Sequence, residues 1–391
     1  MDDAASLLLL THEFPPYPGG VARFCSSMAA AAARAGFRVT VFAPNHRRRD
    51  SMDYEEARNV EVVRFEGDIF NIKDLSSLKG IVKPLLSRQS WNIVHLADWP
   101  MLLAARGIRS ATTERVASFH GSDVMVLKNS WRARLLGSRA SLKAVDRYMC
   151  NSMFTSTVLT QAFPWISGRS ITVAPLGVDG MWFDPPSEAA VSEFKRIVAF
   201  DSEDRLVLTV ARLDARKGHL QTIAALSRLP DAMKVHLKYV CVGACHDLEL
   251  VEKMQAVARA GRVKLHVTDS LPTALVRAAY SMATVFSLTA EPMKRRIEGF
   301  GLVLLEAAAA GLPAVVTAVH AIPEVVDPVS GWICQTGDID ALMRAFAGAL
   351  TDGRRESLRD ACIRHARKFP WDECARLTYG SAHPKVAFRE T

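Results

Sequence analysis

Short apolar runs recur along the chain, separated by longer stretches in which apolar residues return every three or four positions. That alternation predicts strands covered by helices, the pattern of parallel α/β sheets. In the first half the runs at 6–10, 38–42, 60–65, 92–95, 117–119, 147–150 and 171–174 read as strands. The helical pattern is clearest over Val21 to Ala35, where Gly36 supplies a left-handed cap. A Gly-, Pro- and Asp-rich stretch at 175–186 interrupts the pattern, and a second cycle follows with strands at 206–210, 236–242, 264–267, 283–287, 314–317 and 331–334. Two Rossmann-like domains are expected, 1–180 and 181–373, facing each other across a cleft at the carboxyl ends of their strands, where open α/β sheets take ligands.

Composition agrees with two packed cores: of 391 residues, 49% are hydrophobic and 23% charged. The seven cysteines are scattered, odd in number and mostly inside apolar runs, which fits reduced thiols and a cytoplasmic protein. The run Leu7 to Leu10 is too short for a signal peptide. The stretch Ala307 to Pro323 carries Gly311, two prolines and His320, and reads as core rather than a membrane span. The charge excess of +8 lies mainly in residues 1–180, with 22 basic against 16 acidic residues. Such an excess suits an anionic substrate or a membrane surface, and no zinc-finger spacing or RNP-like motif supports nucleic acid.

Several sites are excluded. No Gly-Lys dipeptide exists for a Walker A loop, and His12-Glu13 lacks a second zinc-protease histidine. Pro18-Gly19-Gly20 stands where a dinucleotide fold would carry Gly-x-Gly-x-x-Gly. Cys241, Cys245 and His246 lack a second ligand pair, so they read as ordinary thiols and an ordinary imidazole, and no metal site is expected.

Four elements carry candidate chemistry. Glu298-Gly-Phe300-Gly301-Leu302-Val-Leu-Leu-Glu306 precedes an Ala-rich helix. A helix beginning near Gly301 would offer free amides to an anion or sugar hydroxyls, with Glu306 about one and a half turns in. Arg212 and Lys217, five apart in a strand-to-helix loop, can converge on one diphosphate, Arg as a fork and Lys as a point charge. His120, in Phe119-His-Gly-Ser-Asp123, follows a strand of the first domain, and Gly19-Gly20 opens the first helix. Lys128, Arg132, Arg139 and Lys143 fall in one sector if residues 128–143 form a single helix. They are flanked by Trp131, Leu135 and Leu142, a face suited to an anionic acceptor or a lipid surface.

In this order the four elements resemble the retaining, metal-independent glycosyltransferases of the GT-B fold, specifically their large family four, the glycosyl transferases of group 1. Pro175-Leu-Gly-Val-Asp179, Ile322-Pro-Glu-Val-Val326 and Phe369-Pro-Trp371 match as well, while Ala244-Cys245 and His320-Ala321 depart from the family's glycine pairs. The resemblance implies that Arg212 and Lys217 hold a donor diphosphate and Glu306 the ribose. It places Glu298, with the amides of Phe300, Gly301 and Leu302, at the sugar, and His120 beside the reacting centre. It also implies a C-terminal helix, about 374–391, crossing back to the first domain. The expected activity is transfer of a sugar, with retention and without metal or other cofactor, from a UDP- or GDP-sugar to a small-molecule, glycan or lipid-linked acceptor. The work would be done in the cytoplasm, with room for peripheral contact at the inner membrane surface. A glycan phosphorylase-like enzyme or a non-catalytic nucleotide-sugar-binding protein on the same fold stands as the alternative.

Overall fold

Strands buried on both faces cannot alternate polar and apolar residues, and β1 (Ser6–Leu10) is accordingly buried at every position. It lies inside a seven-stranded sheet with β2 (Arg38–Asn45), β3 (Val60–Glu66), β4 (Ile93–Leu96), β5 (Glu114–Phe119), β6 (Arg147–Cys150) and β7 (Ser170–Val173). The order is β3-β2-β1-β4-β5-β6-β7, and the pairings are parallel: Leu8 stands opposite Thr40 on one side and Val94 on the other. A second sheet holds β8 (Arg205–Val210), β9 (Leu237–Val242), β10 (Lys264–Thr268), β11 (Val285–Leu288), β12 (Ala314–Thr317) and β13 (Gly331–Cys334). Its order is β10-β9-β8-β11-β12-β13, also parallel. In each sheet the order of connection reverses once, between β1 and β4 and between β8 and β11. These switch points are where loops diverge and leave a crevice. The computed structural model describes residues 4–45, 59–67, 75–88, 90–107, 113–245, 247–294, 296–353 and 355–380.

The chain divides into two units. The first comprises Met1–Gly177, Arg295–Phe300 and Phe369–Thr391, the second Val178–Lys294 and Gly301–Lys368. Each has its own apolar core. Phe42, Leu96, Phe119, Tyr148 and Leu159 belong to the first core, and Ile223, Tyr239, Met254, Val285 and Phe346 to the second.

The C-terminal helix Trp371–Tyr379 is part of the first unit and packs along helix Gly20–Arg34. Residues 381–391 of the expected C-terminal segment lie outside the described residues. Tyr379 is fully buried, and its hydroxyl lies 2.6 Å from His95 Nδ1. The Ser118 hydroxyl lies 2.6 Å from His95 Nε2. A neutral imidazole accepts at one nitrogen and donates at the other, so the two hydroxyls satisfy it without a charge. Burial, aided by the nearby His120, lowers the His95 pKa to about 3.

One expectation is corrected. Residues 128–143 do not form a single helix but parts of three: Ser122–Asn129, Trp131–Leu135 and Ser138–Lys143. Ser130 ends the first and caps the second, accepting from Ala133 N at 3.2 Å. Gly137, at φ 83°, turns the chain into the third. The single sector therefore does not exist. All seven cysteines are free, and all but Cys245 are buried.

Candidate active site

In the second unit the loop after β8 is shaped from beneath. Asp214 accepts from Arg216 N at 3.0 Å and closes a tight turn over Ala215–Lys217, and Leu213 N donates to Ala244 O at 3.0 Å. The turn ends at Gly218, φ 76°, where a Cβ would drive into the Thr289 carbonyl; only glycine permits this approach. Below it runs a chain of buried hydroxyls. Thr289 donates to Gly218 O at 2.7 Å, because a carbonyl can only accept. Thr222 must then donate to Thr289 at 2.9 Å, and Ser287 to Thr222 at 2.7 Å. A second branch runs from Tyr239 to Thr209 at 2.9 Å and from Thr209 to Ser287 O at 2.7 Å. With its proton so committed, the Tyr239 oxygen accepts from His219 Nδ1 at 3.2 Å. Burial lowers the His219 pKa to about 4 and keeps the ring neutral. A connected buried hydroxyl network of this kind holds a loop rigidly. Above it Arg212 is exposed and Lys217 half-buried.

The neighbouring strand β11 joins the second element to the first. Thr289, just past its end, holds Gly218, and its Leu288 lies against Gly301. Gly301, φ 93°, directly precedes helix Leu302–Ala309, whose first turn carries no acidic residue to occupy its free amides. Glu306 sits half-buried on this helix and accepts from the Tyr280 hydroxyl at 3.1 Å. Arg212 and Lys217 thus follow β8, and Gly301 and Leu302 lie against the end of β11, at the switch point of this sheet, with Glu306 on the helix that starts there. Nearby, His320, the departure from a glycine pair, adopts φ 53°, which a non-glycine residue takes only at a cost.

In the first unit the switch point lies between β1 and β4. Asp98, after β4, accepts from His12 N at 2.6 Å and Thr11 Oγ1 at 3.0 Å, and its other oxygen caps the following helix through Met101 N at 3.1 Å. Gly19 and Gly20 are exposed where helix Gly20–Arg34 begins, again with no acidic residue in the first turn. Pro15 O, in the loop before them, accepts from Arg64 at 2.6 Å.

His120 follows β5. Its Nε2 lies 3.0 Å from Ala97 O, and since the carbonyl only accepts, that nitrogen carries the proton. The ring packs edge-on to Phe24 at 4.7 Å, and both Asp123 oxygens accept from His120 N at 3.1 Å. Burial raises the Asp123 pKa against the pull of His120. The stretch containing Glu298 is tied to the same place. Ser122 Oγ donates to Ile297 O at 3.1 Å and accepts from Ile297 N at 2.9 Å, and Ser152 Oγ donates to Gly299 O at 2.9 Å. At Gly299 any Cβ would collide with the His120 carbonyl, which brings the two backbones into contact. Glu298 is buried, and the Phe300 ring sits 6.4 Å from Phe369.

The motif from Glu298 to Glu306 therefore belongs to two units: its first half is bound beside His120, and its second half starts a helix of the other unit. Tyr280, the hydroxyl network and Asp98 are supporting residues that no sequence spacing signals, because each acts on a partner remote in sequence. Among the described residues no group of three or more His, Cys, Asp or Glu is placed to hold a metal ion. His246 lies outside the described residues.

Comparison with known proteins gives a consistent outcome. The family described as Glycosyl transferases group 1 matches residues 190–369, and Glycosyltransferase Family 4 matches residues 18–180. A GDP-mannose-dependent alpha-(1-6)-phosphatidylinositol monomannoside mannosyltransferase of Mycolicibacterium smegmatis is 29% identical over 376 residues, covering 92% of this chain and 93% of the relative. A GDP-mannose-dependent monoacylated alpha-(1-6)-phosphatidylinositol monomannoside mannosyltransferase of Corynebacterium glutamicum is 24% identical, with 95% of each chain covered. Among solved structures, a sucrose-phosphate synthase from Thermosynechococcus elongatus superposes with a TM-score of 0.77 at 20% identity, over 96% of this chain and 98% of that one, a likeness of fold.

Proposed function

Because the chain belongs to the group 1 glycosyltransferases of the GT-B fold, we propose that it moves a sugar from a nucleoside diphosphate donor to a lipid-linked acceptor with retention of configuration and without a metal. The observation that carries the donor half is the gathering of Arg212, Lys217, the Gly301 helix start and Glu306 at one switch point. As the anomeric bond breaks, negative charge grows on the leaving phosphate. Arg212, Lys217 and the amides at Leu302 receive it, doing by fixed charge what a divalent ion does elsewhere. Glu306, oriented by Tyr280, takes the ribose hydroxyls.

Glu298 and His120 serve the sugar. A buried carboxylate favours the cationic character that develops on the ring, and an imidazole whose Nε2–H is committed to Ala97 O is held in one orientation. The acceptor is bound mainly by the first unit, with Gly19-Gly20 available to phosphate on either substrate. Retention follows a front-face route in which the leaving phosphate oxygen takes the acceptor hydroxyl proton as the new glycosidic bond forms. The relatives' names point to GDP-mannose and a phosphatidylinositol glycolipid, which supports a reading of work at the inner membrane surface. No helix among the described residues is long and apolar enough to cross a membrane.

A thermal-shift panel of GDP- and UDP-sugars, followed by transfer to a phosphatidylinositol mannoside in excess chelator, tests this reading. Stabilisation by GDP-mannose together with chelator-resistant transfer to an α-linked product supports it. Nucleotide-sugar binding without transfer or donor hydrolysis would make the protein a binding module. Loss of transfer in chelator, restored by a divalent ion, or a covalent adduct trapped with a fluorinated donor, would overturn the metal-free or the front-face part respectively.

A further inference from the structure

Glu306 is oriented by the Tyr280 hydroxyl, and the Tyr280 ring is in turn held by residues outside the site. Tyr280, on helix Thr273–Met282, donates to Glu306 Oε2 at 3.1 Å. A hydroxyl orients its partner only if the ring that carries it is confined to one position. The Tyr280 ring is buried against two aromatic neighbours. Phe286 of β11 lies at 5.8 Å, and Trp182 at 5.6 Å, edge to face at 81°. Phe286 is fixed with the sheet, whereas Trp182 ends a short turn, Gly180–Trp182, in the segment by which the chain enters the second unit after Gly177. Met181 beside it is 41% exposed, but Trp182 is turned inward and only 4% exposed. Further contacts pin this segment. Arg277, one turn before Tyr280 on the same helix, donates to Asp184 O at 3.0 Å and Pro185 O at 3.1 Å. The Arg367 guanidinium lies over the Phe183 ring at 5.8 Å, just before the chain leaves this unit at Lys368. The entering segment is thus fastened to the helix that carries Tyr280, and Trp182 is the side chain it sends against the tyrosine. An edge-to-face aromatic pair has a preferred geometry beyond simple burial, so Trp182 selects one position of the ring.

We propose that Trp182 is a positioning residue of the donor site: it fixes the Tyr280 ring so that its hydroxyl orients Glu306 toward the ribose. Trp182 acts through two side chains and not by contact with the donor. Ribose binding is thereby coupled to the segment that connects the two units, and the coupling is reciprocal, as any linkage between binding and conformation must be. The role presupposes the donor reading given above, in which Glu306 takes the ribose hydroxyls. It adds a residue that lies outside the Arg212–Lys217 loop and the Glu298–Glu306 segment, and it extends the support of the donor site to the point where the chain crosses between units.

The test is calorimetric binding of GDP and UDP to the full chain, each compared with its 2′,3′-dideoxy form. Base and diphosphate are the same within each pair, so the difference isolates the ribose hydroxyls. The parent should prefer the ribose form of whichever nucleotide it takes. Trp182→Leu should weaken that binding about fivefold, as Tyr280→Phe does, and leave the dideoxy form unchanged. The double substitution should also lose about fivefold rather than roughly twenty-five-fold, because without the hydroxyl the position of the ring no longer matters. Trp182→Phe, which keeps an aromatic edge for the tyrosine, should stay near the parent. Arg277→Met loosens the segment without altering the aromatic pair, and should shift the ribose form in the same direction, which preserves the test if the leucine variant does not fold. Equal weakening of ribose and dideoxy forms, or losses that multiply in the double variant, would reduce Trp182 to packing of the second unit and overturn the proposal while leaving the donor reading in place. Ribose discrimination unchanged in both Trp182→Leu and Arg277→Met overturns it as well. A parent that binds neither nucleotide, or binds both forms equally, removes the ribose contact assigned to Glu306 and this role with it.

Discussion

The two units hold their candidate residues by different means. In the second unit the support is polar and compact in space: a connected set of hydroxyls from Thr209 to Thr289 lies directly under the Arg212–Lys217 loop, and every proton in it has a destination. In the first unit the support is assembled from distant segments. His95 is satisfied by Tyr379, 284 residues away, and Phe24 packs against both His95 and His120. The stretch beside His120 arrives from residues 296–300. A fixed anion site needs rigidity that one buried polar network can supply. An imidazole and a buried glutamate brought together from three parts of the chain depend on the whole first unit being closed.

That contrast predicts unequal sensitivity. Deleting residues from Phe369 onward should have the largest effect, unfolding the first unit while the second retains its own transition; calorimetry should show one melting event lost. A single event lost in common would mean the units do not differ in this way. Next, Lys217→Ala or Arg212→Ala should lower turnover by about 10² to 10³, with melting temperature nearly unchanged, because neither residue belongs to the buried network. A drop in stability that tracks the lost rate would assign them to the fold instead.

Glu298→Gln should mainly reduce turnover, whereas Glu306→Gln should raise the donor KM with a smaller change in kcat, since ribose contacts act in ground and transition states alike. Equal defects in both constants for both variants would erase the division between the two halves of this motif. Tyr280→Phe removes one hydrogen bond to Glu306 and should raise the donor KM only about fivefold, the equivalent of roughly 1 kcal/mol.

The smallest effect is on stability against pH. His95 and His219 bind a proton in the unfolded chain below the ordinary value of 6.5, but in the fold only near 3 and 4. Their contribution is therefore complete above pH 6.5 and is lost as pH falls from there toward about 4 for His219 and about 3 for His95. The slope is up to about 1.4 kcal/mol per pH unit for each histidine. Replacing His219 should flatten this dependence in the second unit's transition and His95 in the first; an unchanged slope in both would show that other groups govern it.

The strand-and-helix rhythm and the second cycle beginning after residue 186 were legible in the amino-acid sequence, and so was the spacing that marks Arg212, Lys217 and the Glu298–Glu306 segment as candidates, because hydrophobic periodicity and glycine punctuation are local properties. The same local logic misjudged residues 128–143. Periodicity suggested one continuous sector, but a serine cap and a left-handed glycine broke the helix and exposed Trp131 with Leu135. What the tertiary structure alone decided was partnership across long separations: Tyr280 with Glu306, Tyr379 with His95, Thr289 with Gly218, and Gly299 with His120. No spacing rule carries these pairs. Each exists only because packing brings a buried polar group to the place where another must be satisfied.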